Sequence, residues 1–191
     1  MPRTTLYLVR HGEQDLTDTP ESGDDGEPDS GLSPRGREQA AKLGRRLAGT
    51  KFGALHHSRL SRATETAEIL AGHLCGVRPH PCDLAQDLTP IPSSYPERYQ
   101  AFFDAVPPGE RDPDATRLRE AVSQLSVIGA EDQTDLVVTH NFVIGWFVRH
   151  VLDAPDWRWL GLNQDNCALT IVRWETGRPP ALVSFNDVGH L

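Results

Sequence analysis

Near its start the chain carries a short apolar run, Leu6-Tyr7-Leu8-Val9, that stops on Arg10-His11-Gly12-Glu13. Rich in β-formers and too short for a helix, the run predicts a buried strand of a parallel sheet. Phe52 to Ser58 and Asp135 to Thr139 repeat the pattern: an apolar stretch, a polar junction, then a helix. Ser33-Pro34 supplies an N-cap residue and a first-position proline, after which Ala40, Leu43, Gly44, Leu47 and Ala48 share one helical face. Ala63, Ala67, Leu70 and Leu74 mark a second helix, and Tyr99, Phe102, Phe103 and Val106 a short third. Leu118, Ala121, Val122, Leu125 and Ile128 mark a fourth, and Val143, Ile144, Phe147, Val148, Val151 and Leu152 a fifth. Two last strands, Ala168 to Trp174 and Ala181 to Phe185, flank Thr176-Gly177-Arg178-Pro179-Pro180, which reads as a hairpin-like return.

The stretches between these elements lack periodicity. Residues 15 to 31 hold seven acids and almost nothing apolar, an exposed loop. Prolines 79, 81, 90, 92 and 96 make a long connection with at most a short extended piece around Val77 to Leu84, and residues 107 to 113 read as a Pro-rich turn. Arg35, Arg37, Lys42, Arg45 and Arg46 read as the solvated face of the first helix. Alternation of strands and helices predicts an α/β fold, a three-layer α/β/α sandwich with a mostly parallel sheet, as one domain over residues 1–191.

Composition narrows the function. A formal charge of −8 and a pI near 5.4 argue against nucleic acid or an anionic membrane as partner, so an anionic substrate needs a local basic cluster. Cys75, Cys82 and Cys167 show no metal or disulfide spacing, and His56, His57, His73, His80, His150 and His190 show no ligand spacing, so no metal is expected. No window is apolar enough to cross a bilayer and no signal-peptide core is present, which predicts a cytoplasmic protein. A homodimer is the one assembly allowed for.

In such a sheet ligands bind beyond the carboxyl ends of the strands. Three strand ends carry Arg10-His11, Ser58 to Arg62, and His140, so two guanidiniums and two imidazoles converge. Guanidiniums match phosphate oxygens and offset the charge that repels a nucleophile, while nearby cations favour a neutral imidazole. His11 and His140 are therefore the candidate nucleophile and its partner, with the second histidine expected to be protonated so that it stabilises the equatorial oxygens. Helix N-termini after residues 58 and 140 would add backbone donors.

Four separated stretches then resemble the histidine phosphatase superfamily, in its phosphoglycerate mutase-like branch. They are Arg10-His11-Gly12-Glu13, Leu32-Ser33-Pro34-Arg35-Gly36-Arg37-Glu38-Gln39-Ala40, Ser58-Arg59-Leu60-Ser61-Arg62-Ala63-Thr64-Glu65-Thr66-Ala67, and Val137-Val138-Thr139-His140-Asn141. The resemblance implies a phosphoglycerate mutase-like fold, no cofactor, a phosphorylated His11, phosphate held by Arg10 and Arg62, and a pocket completed by His140. Thr17 and Asn141, in the continuations of the first and fourth motifs, join the phosphate-binding candidates. In family phosphatases a Glu after the second Arg helix donates the proton. Here Leu84-Ala85-Gln86-Asp87-Leu88-Thr89-Pro90 puts Asp87 in its place, a role that requires the carboxyl to hold a proton, and Glu13 is the competing acid. Leu16 and Thr17 replace the Trp-Asn pair usual in the mutases, which together with the shorter chain favours a phosphatase. The implied activity is hydrolysis of a small phosphorylated metabolite through phosphohistidine. Mutase-type phosphoryl transfer and a weakly catalytic phosphate-binding module are the alternatives.

Overall fold

The computed structural model describes residues 1–17 and 29–191, so residues 18–28 of the acidic stretch lie outside the described residues. The opening run is β1 (Arg3–Arg10), the inner strand on which the sheet is built. It pairs parallel with β6 (Gln133–Thr139) and, on its other side, antiparallel with β7 (Leu169–Glu175). Beyond β6 lie β2 (Ala54–His57) and β3 (Pro79–Pro81), both parallel, and β8 (Ala181–Asp187) closes the far edge antiparallel to β7. Among the described residues the order is β3-β2-β6-β1-β7-β8, a parallel sheet extended by the expected hairpin.

Both faces of the sheet are covered. Leu6, Leu8 and Val137 pack against α4 (Thr116–Leu125) and α5 (Asn141–Val151), which bury Leu118, Val122, Ile144, Trp146 and Phe147. Val9, Leu136 and Val138 pack against α1 (Pro34–Leu47) and α2 (Ser61–Ala71), with Leu43, Leu47, Ala63, Ala67 and Leu70. Neighbouring strand residues thus alternate between two apolar layers, which is why the strands read as unbroken apolar runs. Each fully buried Leu of this kind contributes about 1.5–3 kcal/mol. Among the described residues no helix is long and apolar enough to cross a membrane.

One reading is corrected. The extended piece expected around Val77 to Leu84 is present as β3, but beyond it the Pro-rich connections form a parallel two-stranded sheet, β4 (Thr89–Ile91) with β5 (Arg111–Pro113), where no further strand and a turn at residues 107 to 113 were expected. Proline supplies no amide for a ladder, so its presence argued against strands that survive here as two short lone edges. The short helix nearby, α3 (Gln100–Asp104), falls where the pattern places it. The basic face of α1 is exposed, as expected, and its arginines also pair with other elements: Arg35 with Glu13, Arg37 with Glu65 of α2, and Arg46 with Asp187 of β8. These arginines fasten α1 to three other parts of the chain.

Candidate active site

β1, β6 and α2 bring the four predicted groups to one end of the sheet. Arg10 is the last residue of β1, His11 follows it, His140 caps α5 directly after β6, and Arg62 lies in the first turn of α2. The amide of His11 bonds to the carbonyl of Thr139 at 3.1 Å, so the ends of β1 and β6 stay in register up to the two histidines. Their rings stand 5.1 Å apart between centroids. No side chain of His140 caps α5, and the partial positive charge of that helix end faces the same pocket.

His11 is 7 % exposed, and its Nδ1 lies 2.8 Å from the carbonyl of Gly12. A carbonyl only accepts, so Nδ1 carries the proton and Nε2 keeps its lone pair. Burial, then His140, Arg62 and Arg10, hold the His11 pKa down to about 3 against the opposing Gly12 bond. The expected neutral imidazole is present, with burial rather than the cations as its leading cause. His140, 1 % exposed, is held well below its ordinary pKa by burial first and by Arg62 and Arg10 after it. Without phosphate, burial and then the guanidiniums thus both work against the imidazolium expected from the sequence.

Arg62 is 3 % exposed; its Nη2 donates to Asp87 Oδ2 at 2.8 Å, while Nε and Nη1 are buried with no hydrogen-bond partner among the described residues. Buried donors of this kind are costly unless an acceptor meets them. Asp87 Oδ2 also lies 3.2 Å from His140 Nδ1, too poorly aligned for a hydrogen bond. Arg10 Nη1 donates to the carbonyl of Gln164 at 2.6 Å. Five of the eight predicted site residues thus meet: Arg10, His11, Arg62, Asp87 and His140.

The other three are committed elsewhere. Glu13 accepts from Ser33 Oγ at 2.8 Å, pairs with Arg35 at 3.3 Å, and so braces the start of α1. Thr17 is exposed, with amide and hydroxyl both on Asp15 at 3.0 and 2.7 Å. Asn141 opens α5, but its side chain binds Asn163 and the amide of Gln164, at 3.1 and 2.7 Å. Gly12 makes a close approach to α1: a Cβ there would sit 2.7 Å from the carbonyl of Gly36.

Sequence reading missed how residues 164–167 grip the turn. Besides the Gln164 carbonyl on Arg10, Asn166 Nδ2 donates to the carbonyl of His11 at 3.1 Å, and the Cys167 amide to that of Arg10 at 3.0 Å. In the sequence Asn166 and Cys167 open a strand, where a donor and a thiol could line the site, but nothing local shows which carbonyls they meet. The Cys167 thiol itself is buried and its pKa is pushed up to about 12, which leaves it inert. Trp159 is core, whereas Trp157 is half-buried against Tyr99.

A model of the histidine phosphatase superfamily, branch 1, matches residues 6–188. Over 199 residues the chain is 34 % identical to the mitochondrial serine/threonine-protein phosphatase Pgam5 of Caenorhabditis elegans, covering 97 % of this chain and 63 % of that protein. Human mitochondrial serine/threonine-protein phosphatase PGAM5 is 31 % identical over 194 residues, with the same coverage of 97 % and 63 %. The chain therefore spans less than two thirds of the length of these relatives, whose names place them in mitochondria where the sequence reading expects the cytoplasm. Bacillus stearothermophilus YhfR superposes with a TM-score of 0.75 at 28 % identity over 98 % of both chains. A mycobacterial glucosyl-3-phosphoglycerate phosphatase, at 21 % identity, shares the fold alone, with a TM-score of 0.69 over 96 % of this chain and 99 % of that one. With the family model running from β1 through β8, the chain belongs to the histidine phosphatase superfamily, branch 1.

Proposed function

We propose that the chain is a phosphomonoesterase that works through phosphohistidine on His11. The observation that carries this reading is the neutral His11, its Nε2 lone pair free, beside the buried and unpartnered Nε and Nη1 of Arg62. A phosphate dianion supplies the acceptors those donors lack, and Arg10 and the first turn of α5 add positive charge. His11 Nε2 attacks phosphorus, the ester P–O bond breaks, and the leaving oxygen takes a proton from Asp87. Water then gives a proton back to Asp87 and attacks phosphorus, the P–N bond breaks, and inorganic phosphate leaves. His140 donates an N–H to the phosphoryl oxygens as charge shifts onto them.

The support for Asp87 over Glu13 as the acid is position. Asp87 touches Arg62 and stands beside His140, whereas Glu13 is held by Ser33 and Arg35. The relatives named serine/threonine-protein phosphatases support phosphoserine or phosphothreonine as the ester, with the serine or threonine hydroxyl as the leaving alcohol. A small phosphorylated metabolite, the expectation from the sequence, presents the same ester.

Rapid-quench labelling with a radiolabelled phosphoserine peptide and with a panel of phosphorylated metabolites separates these substrates. An acid-labile, base-stable phosphoenzyme is expected, absent in His11→Ala. Full turnover by His11→Ala would overturn the nucleophile assignment, and interconversion of 2- and 3-phosphoglycerate in place of phosphate release would make the protein a mutase.

A further inference from the structure

We propose that Gln164 is a positioning residue: its main-chain carbonyl aims the Arg10 guanidinium at the substrate phosphate, and its buried side chain holds that carbonyl in place. The inference rests on Arg10 binding phosphate, as proposed above. Arg10 ends β1 with a long, flexible side chain, and by itself the strand does not determine where the guanidinium points. Holding one Nη narrows the orientations in which the planar fork can meet phosphate oxygens. That fixed contact is the 2.6 Å bond from Arg10 Nη1 to the Gln164 carbonyl.

Gln164 is 2 % exposed and fastened on three sides. Its amide donates to Asn141 Oδ1 at 2.7 Å, one residue beyond His140. Its side-chain Oε1 accepts from Thr170 Oγ1 at 2.6 Å, and its Nε2 donates to the carbonyl of Leu162 at 3.3 Å. Thr170, fully buried on β7, stands opposite Leu8 of β1, and its hydroxyl also accepts from the Asn186 amide of β8 at 3.0 Å. Asn186 in turn holds Asp165 through both side-chain atoms, at 2.7 and 2.8 Å. A buried glutamine in a loop is conformationally expensive unless every polar atom is met, and here the amide, carbonyl and both side-chain atoms are. The consequence is mechanical. Arg10 and the His140 end of α5 are referred to one residue, so the two phosphate-facing groups keep their spacing.

The test measures the dissociation constant of inorganic phosphate by calorimetry, together with kcat and KM on an aryl phosphate. Thr170→Val, which removes the hydroxyl while keeping its shape, and Gln164→Leu are each expected to weaken phosphate binding and raise KM by about tenfold with a smaller effect on kcat. Thr170→Ser should restore binding to within about twofold of wild type. In an Arg10→Ala background Thr170→Val should cause no further loss, because its effect passes through Arg10. Asn141→Ala, which releases Gln164 from its other side without touching the core, should behave likewise. If it instead weakens binding equally with and without Arg10, Asn141 contacts phosphate itself and the positioning role falls. Phosphate affinity unchanged in Thr170→Val, Gln164→Leu and Asn141→Ala but lost in Arg10→Ala would overturn the proposal and leave the phosphate reading standing. Affinity unchanged in Arg10→Ala would overturn both.

Discussion

Asp87 touches one predicted site residue and stands beside another, and its carboxylate is the group whose removal discriminates most sharply among roles. If it donates the proton to the leaving oxygen, Asp87→Asn should lower kcat by about 10²–10⁴-fold on an alkyl phosphate. On p-nitrophenyl phosphate, whose leaving oxygen needs no proton, the loss should be far smaller, and an equal loss on both would reduce Asp87 to a partner of Arg62. The two histidines carry a second prediction at this scale. Both are held below the 6.5 of an unfolded histidine, His11 to about 3, so between those values the unfolded chain binds protons that the folded one refuses. Stability is then complete above pH 6.5 and falls on acidification, by up to about 1.4 kcal/mol per pH unit for each histidine. Melting curves in phosphate-free buffer at pH 7.5, 6 and 5 should show this slope, and His11→Asn or His140→Asn should flatten it; a slope unchanged in both variants would sink the assignment. His11 and His140 were legible as residue types at strand ends, and Asp87 through the family resemblance. The protonation of His140 was not, because it depends on how much water and how many cations the fold leaves beside it.

Between elements, the tightest constraint is the meeting of the β1 turn with the start of α1. A Cβ on Gly36 would lie 2.1 Å from the carbonyl of Glu13, a backbone atom that cannot swing aside. Gly36→Ala should therefore destabilise the protein by about 1–3 kcal/mol through overpacking, measured by urea unfolding, with a wild-type denaturation midpoint overturning the expectation. Helices α1, α2, α4 and α5 and the strands that alternate between two buried faces were readable from period alone. The pairing of β4 with β5 was not, since prolines remove the local signal and only the partner strand, some twenty residues away, creates the edge. The cross-element ion pairs of Arg35, Arg37 and Arg46 were equally invisible, for the helix shows which side faces out but not what stands there.

Over the whole molecule, the site draws on β1, α2, the connection after β3, and the β6–α5 junction, so an anion bound there crosslinks most of the sheet's carboxyl edge. Orthovanadate at 100 times its dissociation constant should stabilise the fold by about 2.7 kcal/mol, or roughly 5–10 °C in Tm for a chain of this size. Arg62→Ala should abolish that shift; an undiminished shift would place the anion elsewhere. The net charge of −8 makes the local pair of guanidiniums, not the overall field, the source of anion affinity. By itself the sequence determined the α/β architecture, the sheet edge that carries the chemistry, and the identity of Arg10, His11, Arg62 and His140, because each sits in a local pattern of strand, turn and helix. Tertiary structure alone decided that Asp87 rather than Glu13 stands with Arg62, that Asn141 braces Gln164, and that residues 164–167 grip the His11 turn. Those are contacts between residues far apart in the chain, and no local periodicity encodes which side chains two packed elements bring within hydrogen-bonding distance.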